Sequence, residues 1–296
     1  GETVDVEVSD GTISSTGSGN YDLGVTVSPV SASNLAITGT GTQAAGASQS
    51  ITITATDGFG NVDVAYTGDK SLTFSGPSSS PDGDAPTMTD KGGTDTNFGS
   101  STTVTFTTGV SSAGGSMILY KAETVSVDVS DGSINSSANV AYDLDMTISP
   151  GTASRLVVTG TALQIAGGAQ SLTVTAKDDY GNTATAYTGD KDLTFAGPSA
   201  SPDSNTPTVS DKDGTATDMG DAATISFTAG ISSAGGTLTV YKTEESVSVD
   251  VTDETIDSTG DAAYDLDIAV SPGPPARLEV TGSASRAVGS SQSITV

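Results

Sequence analysis

The chain has 296 residues and a formal net charge of −26, from 36 acidic and 10 basic side chains, and it contains no Cys, His or Trp. The missing Cys excludes disulfides, and the missing Cys and His exclude the thiolate and imidazole ligands of most zinc and copper sites. Sparse Lys and Arg argue against nucleic acid and anionic membrane surfaces as partners, because both require clustered positive charge. No apolar run approaches the ~20 residues of a membrane helix, so we predict no direct membrane insertion in this segment.

The acidic residues are mostly Asp, which accounts for 29 of the 36. Three interpretations fit this bias. Asp favours turns, because its side chain accepts hydrogen bonds from nearby backbone N–H groups. Short carboxylates are also hard ligands that suit calcium. Finally, a dense acidic surface keeps a protein hydrated and soluble, as salty water requires.

The sequence repeats itself with a period of 121 residues, because Tyr21-Asp22-Leu23 returns at Tyr142 and, after one extra residue, at Tyr264. The run that begins at Glu2 returns in the same way at Glu123 and Glu245. We therefore predict four parts: residues 1–30 as the C-terminal part of one repeat, 31–151 and 152–273 as complete repeats, and 274–296 as the N-terminal part of the next.

Within the first complete repeat, alternation of apolar and polar residues predicts seven strands, A to G. In chain order the predicted strands are A Leu35–Gly39, B Gln49–Thr56, C Leu72–Ser75, D Thr102–Thr107, E Ser116–Lys121, F Thr124–Ser130 and G Tyr142–Pro150. No segment has a 3.6-residue apolar period, so the sequence predicts an all-β fold. Seven short strands separated by turn residues favour a two-sheet sandwich.

Proline lies at each predicted junction between repeats, which we call a seam: Ser28-Pro29, Ser149-Pro150 and Ser271-Pro272. A new strand follows each seam within a few residues, and a short link that contains Pro restricts hinge motion. An odd number of up-and-down strands would also bring the chain out at the pole opposite to its entry. We therefore expect the sandwiches to follow one another end to end, as a rod.

The second complete repeat carries a run of short motifs in a fixed order: Ala153-Ser154-Arg155-Leu156-Val157-Val158-Thr159-Gly160, Ala166-Gly167, Leu172-Thr173-Val174-Thr175-Ala176, Asp178-Asp179-Tyr180-Gly181-Asn182 and Tyr187-Thr188-Gly189. Ala32 to Gly68 is a close version, and Ala276-Arg277-Leu278 begins a third. The pattern resembles the bacterial Ig-like (Big, invasin/intimin-type) repeats, and the resemblance covers the whole chain. It implies tandem immunoglobulin-like sandwiches in an adhesin, stalk, filament or surface layer.

One feature departs from that family pattern. A long acidic insert follows strand C in each repeat, at Gly76–Ser100 and Gly197–Asp221, where compact family members have a shorter connection. A mobile acidic loop is the plain interpretation of the insert. Calcium binding and contact with another subunit are the two functional alternatives.

The sequence predicts that the protein is not an enzyme. A Ser nucleophile needs a base, and no His is present to act as one. The Asp residues lie at repeated turn positions and do not suggest the pair in a cleft that glycoside hydrolysis requires. Lys121 with Glu123, and Lys242 with Glu244, lie in a predicted tight hairpin, where we expect a surface ion pair or a solvated turn.

A calcium site is the one metal site that the sequence suggests. The loops after strand B, Asp57–Asn61 and Asp178–Asn182, are either plain turns or half of such a site. In an up-and-down sandwich the insert of one domain meets the loop after strand B of the next. The candidate ligands are therefore Asp82, Asp84, Asp90, Asp95, Asp178, Asp179 and Asn182.

These observations favour a structural repeat segment of an extracellular bacterial surface protein that forms a rod, filament or coat. Its expected partners are copies of itself or neighbouring repeats. The alternative is an adhesin module that binds a glycan or a protein of a host or partner cell. Such a module needs exposed aromatic or apolar residues, and Phe59 and Tyr180 are the only aromatic candidates that recur in the loops.

Overall fold

The protein is described by a computed structural model that covers residues 2–16 and 20–296, without the side chain of Glu245. It forms two compact units. The first comprises Gly1–Thr152 together with Lys177–Ala184, and the second comprises Ala153–Ala176 and Thr185–Val296. All regular secondary structure in the described residues is β, and no helix there is long and apolar enough to span a membrane.

The described residues of the first unit form fourteen strands, of which β1 and β2 form a separate antiparallel hairpin. The bounds are β1 Glu2–Val6, β2 Leu23–Val27, β3 Asn34–Thr38, β4 Thr42–Ala44, β5 Ser48–Ser50, β6 Thr52–Thr56, β7 Gly68–Ser75, β8 Thr87–Thr89, β9 Asp95–Asn97, β10 Ser101–Thr107, β11 Val110–Ala113, β12 Ser116–Ile118, β13 Thr124–Ser130 and β14 Leu144–Ser149.

Strands β3 to β14 form a two-sheet sandwich, as the sequence predicts. The large sheet has the order β3-β6-β11-β10-β7-β13-β14-β4, and the small sheet has the order β5-β12-β8-β9. Alternate side chains point inwards, so Phe74 and Val104 from the large sheet share one core with Met88 and Met117 from the small sheet. Burying each such side chain stabilises the fold by about 1.5–3 kcal/mol.

The second unit repeats this architecture with twelve strands in the same two orders, β15-β18-β23-β22-β19-β25-β26-β16 and β17-β24-β20-β21. The bounds are β15 Arg155–Thr159, β16 Leu163–Ile165, β17 Ala169–Ser171, β18 Thr173–Lys177, β19 Gly189–Ala196, β20 Thr208–Ser210, β21 Ala216–Asp218, β22 Ala222–Thr228, β23 Ile231–Ala234, β24 Thr237–Thr239, β25 Glu244–Thr252 and β26 Leu266–Ser271. Phe195, Phe227, Leu156 and Leu238 are buried in its core.

Twelve strands form each repeat where the sequence predicts seven, and one of the additional strands comes from a divided element. Predicted strand B divides at Ile51, so that β5 joins the small sheet and β6 the large one. Strands β11 and β12 also lie in different sheets, and Gly114-Gly115 joins them with φ of 91° and 86°. Only Gly adopts this left-handed backbone at low cost, so the chain changes sheets there.

The acidic insert is not a mobile loop in the first unit, and that interpretation of Gly76–Ser100 is wrong. It contains β8 and β9, which pair with each other and extend the small sheet from β12. Met88 is fully buried, and the Phe98 ring lies 5.7 Å from the Phe74 ring. Hydrophobic burial therefore fixes the insert, while its acids occupy the turns.

Candidate functional site at the Asp–Asn loops

The two Asp–Asn loops fold as turns closed by an aspartate. In Asp57–Asn61, Oδ1 of Asp57 accepts hydrogen bonds from the backbone N–H of Phe59 and of Asn61, both at 2.9 Å. Burial alone would raise the pKa of Asp57, but hydrogen bonds from Asn61, Phe59 and Val30 hold that pKa below its usual value. The loop conformation is therefore set by its own carboxylate.

The carboxylate of Asp178 accepts four hydrogen bonds. Oδ1 accepts from the backbone N–H of Tyr180 at 3.0 Å and of Asn182 at 2.8 Å. Oδ2 accepts from the Gly151 N–H at 2.8 Å and from the Asn182 side-chain amide at 2.9 Å. The side chain is 1% exposed, so these bonds replace the water that it has lost.

Asn182 uses its side-chain amide as a bridge inside the first unit. Its Oδ1 accepts from the Ala122 N–H at 2.8 Å, and its Nδ2 donates to the Tyr120 carbonyl, also at 2.8 Å. The residue is 4% exposed. A buried amide that satisfies backbone groups on the β12–β13 connection holds the segment Lys177–Ala184 in place.

Tyr180 adds an aromatic contact next to this bridge. Its ring centroid lies 5.0 Å from that of Tyr120, with the planes tilted by 57°, and its hydroxyl lies against Gly46. Burial raises the pKa of the Tyr180 hydroxyl, and the nearby Tyr120 and Asp179 raise it further. The ring therefore packs within the unit and is not presented as a free binding surface.

The structure brings together part of the predicted calcium set. Asp178, Asp179 and Asn182 lie in one loop, and the Asp82 N–H donates to the Tyr180 carbonyl at 3.3 Å. Asp84, which accepts a hydrogen bond from Ser80 at 2.9 Å, lies close enough to raise the pKa of the Tyr180 hydroxyl. These residues all belong to the first unit.

Asp90 and Asp95 bond to residues of the β8–β9 hairpin. Oδ1 of Asp90 accepts from the N–H of Gly92 at 2.7 Å and of Thr94 at 2.9 Å, and Asp95 pairs with Thr89. Among the described residues, no group of three or more Asp, Glu, His or Cys side chains is arranged to hold a metal ion. Calcium binding by the predicted set stays a prediction.

The structure also reveals partly buried polar pairs that the sequence did not predict. The Tyr66 hydroxyl donates to Asp131 at 2.8 Å, and its counterpart Tyr187 donates to Asp253 at 2.7 Å. Burial and this hydrogen bond raise the pKa of both tyrosines. The signal was present in the sequence, since both partners recur in each repeat, although recurrence alone does not identify which residues pair.

Two carboxyl groups also meet in each repeat. Burial and the adjacent Asp128 raise the pKa of Asp143. In the second repeat, burial and the adjacent Asp265 raise the pKa of Asp250 to about 6. Two carboxylates this close repel each other, so each pair keeps a shared proton to a higher pH than a lone Asp keeps its own.

The predicted ion pairs are confirmed, but the tight hairpin is not, because β12 and β13 lie in different sheets, as do β24 and β25. Lys121 Nζ lies 2.9 Å from Glu123 Oε2, and Lys242 Nζ lies 2.9 Å from Glu244 Oε1. Both lysines are more than a third exposed, so each pair contributes at most about 1 kcal/mol to stability. Neither pair suggests chemistry beyond holding the connection between the two sheets.

No family model and no curated protein sequence matches the chain. Among solved structures, the Yersinia pseudotuberculosis adhesin InvE is 16% identical with a TM-score of 0.31, over 80% of this chain and 60% of that one. Domains 4–9 of the surface layer protein SbsC are 14% identical with a TM-score of 0.26, over 89% and 34%. A β-glycosidase from Bacteroides vulgatus is 11% identical with a TM-score of 0.29, over 83% and 25%. The chain spans less than two thirds of each of these proteins, and likenesses of this size carry no argument about function.

Proposed function

We propose that the chain is a structural repeat segment of an extracellular bacterial surface protein, forming part of a rod, filament or coat. One observation carries the proposal. Asp178 and Asn182, the side chains best suited to bind a metal or ligand, already use their polar atoms in hydrogen bonds within the protein. Asp178 accepts four hydrogen bonds, and Asn182 makes three through its side chain. Polar groups committed in this way stabilise the fold and are not free to react with a substrate.

Repetition supports the same proposal. Asp57 closes its loop with the same acceptor atom that Asp178 uses, and the Tyr66–Asp131 bond has its counterpart in Tyr187–Asp253. What recurs along the chain is therefore the set of bonds that stabilise a sandwich. Tandem copies of a stable domain lengthen a surface protein, because each copy folds with the same set of interactions.

Composition supports an extracellular, non-enzymatic role as part of this proposal. A chain without Cys is indifferent to the redox state of its compartment, and a net charge of −26 favours solubility. No His is available as a general base near neutral pH. We expect no catalytic turnover by this segment.

The proposal is tested on cells that carry the gene, with an antibody raised against this chain. We expect the antibody to label intact cells, and brief extracellular protease treatment to remove the signal while a cytosolic marker survives. Labelling only after lysis would contradict the proposal. Survival of the cytosolic marker shows that the cells stayed intact during the protease treatment.

An adhesin module is the second candidate, and Phe59 is the loop aromatic with which to test it. This loop aromatic is 87% exposed, whereas its counterpart Tyr180 packs against Tyr120. A binding screen of the chain against glycans and surface proteins should then find a ligand whose binding is lost in Phe59→Ala. Val64→Ala is a suitable control, because Val64 is also exposed, at 56%. Equal binding by both variants would show that Phe59 does not contact the ligand.

A further inference from the structure

Strand β16 of the second unit places two apolar side chains on the surface. Leu163 and Ile165 are 75% and 58% exposed, and Gln164 between them is buried, in keeping with the alternation of side chains along a strand. The parallel register sets Ala269 of β26 beside Leu163. Leu163, Ile165 and Ala269 therefore form a small apolar patch at the edge of the large sheet, which we call the β16 patch.

The apolar pair belongs to one repeat and not to the repeat pattern. In the first unit the corresponding residues of the patch are Thr42, Ala44 and Thr147. In the third copy of the motif, Ser285 and Ala287 stand at the positions of the pair. Thr42 and Ala44 are exposed although a complete repeat follows them in the chain. The fold therefore leaves these positions open to solvent and does not require Leu or Ile there.

The backbone of β16 is open along one side. The strand lies at the end of the large sheet and pairs there with β26. The Ala166 N–H donates to the Ser271 carbonyl at 2.9 Å, and every second residue of β16 points its backbone groups to β26 in this way. The backbone groups of Leu163 and Ile165 therefore point away from the sheet. The Ile165 carbonyl accepts from the Gly168 N–H at 2.8 Å and has a second lone pair for another donor.

We propose that β16 of one molecule pairs antiparallel with β16 of a second copy, around a two-fold axis beside Gln164. In this register Leu163 lies opposite Ile165 of the other copy, and the two residues exchange backbone hydrogen bonds. The four apolar side chains then share one face of the joined sheets and shield one another from water. The contact is isologous and closes at the dimer. This inference rests on the proposed structural function, for which it provides a lateral link between two chains.

Charge favours a second copy as the occupant. No charged side chain lies between Leu156 and Ala176, although the chain carries a net charge of −26. Two such chains repel each other least where neither presents a carboxylate. The small-sheet edge strands β9 and β21 carry Asp95 and Asp218, and like charges that face each other across a strand pair are destabilising. A cationic partner would instead be attracted to the acidic turns.

The register of the edge is also self-complementary. Leu163 and Ile165 are the two residues of β16 whose backbone groups are open, and they are the two whose side chains are apolar and exposed. One antiparallel arrangement of two identical strands therefore satisfies both features at once. The contact is small, so the dimer should be weak and concentration-dependent.

An exchange of residues between the repeats tests the contact in the full chain. Leu163→Thr/Ile165→Ala gives the second repeat the residues of the first, and Thr42→Leu/Ala44→Ile does the reverse. All four positions are exposed, so both variants should keep the melting temperature of the parent chain. Sedimentation velocity is carried out at high ionic strength, which screens the net charge.

We expect the parent chain to form a dimer as its concentration rises. Leu163→Thr/Ile165→Ala should weaken the dimer by about tenfold or more, because four apolar side chains leave the contact. Thr42→Leu/Ala44→Ile should form assemblies larger than a dimer, because each molecule then has two such edges. A flat profile for the parent chain, or an unchanged dimer in Leu163→Thr/Ile165→Ala, would overturn the proposal.

Cysteine cross-linking tests the register, since the chain contains no cysteine of its own. Leu163→Cys and Ile165→Cys proteins, one of them tagged, are mixed and treated with a short bismaleimide. We expect mixed dimers in several-fold excess over those from Leu163→Cys with Val140→Cys, a matched control because Val140 is 85% exposed and lies on the β13–β14 connection. Equal yields would contradict the pairing. Neither experiment bears on surface localisation, which the antibody measures independently.

Discussion

The side-chain amide of Asn182 donates to the backbone carbonyl of Tyr120 at 2.8 Å, and its oxygen accepts from the Ala122 N–H at the same distance. One buried side chain thereby satisfies two backbone groups that are 60 and 62 positions away. Its counterpart Asn61 is exposed, and its side-chain amide donates to the carboxylate of Asp57 in the same loop. The same motif therefore makes different contacts at its two positions, which allows matched experiments.

Replacing Asn182 with Ala should destabilise the protein more than replacing Asn61. Asn182→Ala leaves the Tyr120 carbonyl and the Ala122 N–H without their partner, which costs about 1–3 kcal/mol of unfolding free energy. Asn61→Ala loses only bonds to Asp57, for which about 0.5–1.5 kcal/mol is expected. Urea unfolding followed by circular dichroism measures both. Equal shifts in the unfolding midpoint would show that the bridge does not stabilise the fold.

Gly46→Ala should lower the melting temperature more than Gly167→Ala. Both glycines have positive φ, 76° and 80°, so both substitutions carry a similar backbone cost of about 1 kcal/mol. Only at Gly46 does the new methyl group also meet the Tyr180 hydroxyl. The difference between the melting temperatures of the two variants, measured by calorimetry, reports the contact with the Tyr180 hydroxyl. If Gly167→Ala is as destabilising, the Tyr180 ring does not occupy the space over Gly46.

Protonation of the Asp250–Asp265 pair should stabilise the second unit in mildly acidic solution. The pKa of Asp250 is raised in the folded state from its usual 3.8 to about 6, by burial and by Asp265, with Asp257 and Asp267 nearby. The folded state therefore holds more protons than the unfolded state in this window. The contribution is fully present below pH 3.8 and is lost as the pH rises through about 6.

Asp250→Asn isolates this effect, because the amide resembles the protonated acid at every pH. We expect unfolding midpoints of the parent chain to fall between about pH 4.5 and 7, and those of Asp250→Asn to fall less. At lower pH, protonation of Asp57, Asp131 and Asp253, whose pKa values are depressed, should destabilise both proteins. Parallel profiles for the two proteins above pH 4.5 would exclude the shared proton.

Calcium should raise the melting temperature if the predicted acidic set binds it, because a ligand of the folded state stabilises by mass action. Asp178 already accepts four hydrogen bonds, so the exposed Asp82, Asp84 and Asp179 are the members of the predicted set that remain to bind calcium. We expect a rise in millimolar calcium over excess chelator at matched ionic strength, and its loss in Asp82→Asn/Asp179→Asn. Identical melting curves of the parent chain in calcium and chelator would end the calcium hypothesis.

The sequence was sufficient to predict the sandwich but not its full set of strands. Strand β13 has the bounds predicted from Val125, Val127 and Val129, because alternation over seven residues is a strong signal. Strands β8 and β9 have three residues each, within a stretch rich in Gly, Pro and Asp that predicts loops. Burial of Met88 against strands that are distant in sequence places β8 and β9 in the small sheet. A local sequence pattern does not encode such a tertiary contact.

The site was located from the sequence, but its chemistry was not. Recurrence identified Asp178 and Asn182, and their residue types are equally suited to a turn and to calcium. Which role an Asp plays depends on how many N–H groups reach it, and for Asp178 one of these comes from Gly151, 27 positions away. Such a donor is determined by the packed structure, so spacing along the chain cannot reveal it.

Gold-labelled electron microscopy of isolated cell-surface material tests the central claim most directly. An antibody to this chain should decorate extended filaments or a continuous coat, with label at many points along each assembly. Decoration should disappear when the antibody is first absorbed with the purified chain. Label confined to the soluble cytosolic fraction, with bare surface assemblies, would contradict a structural role at the cell surface.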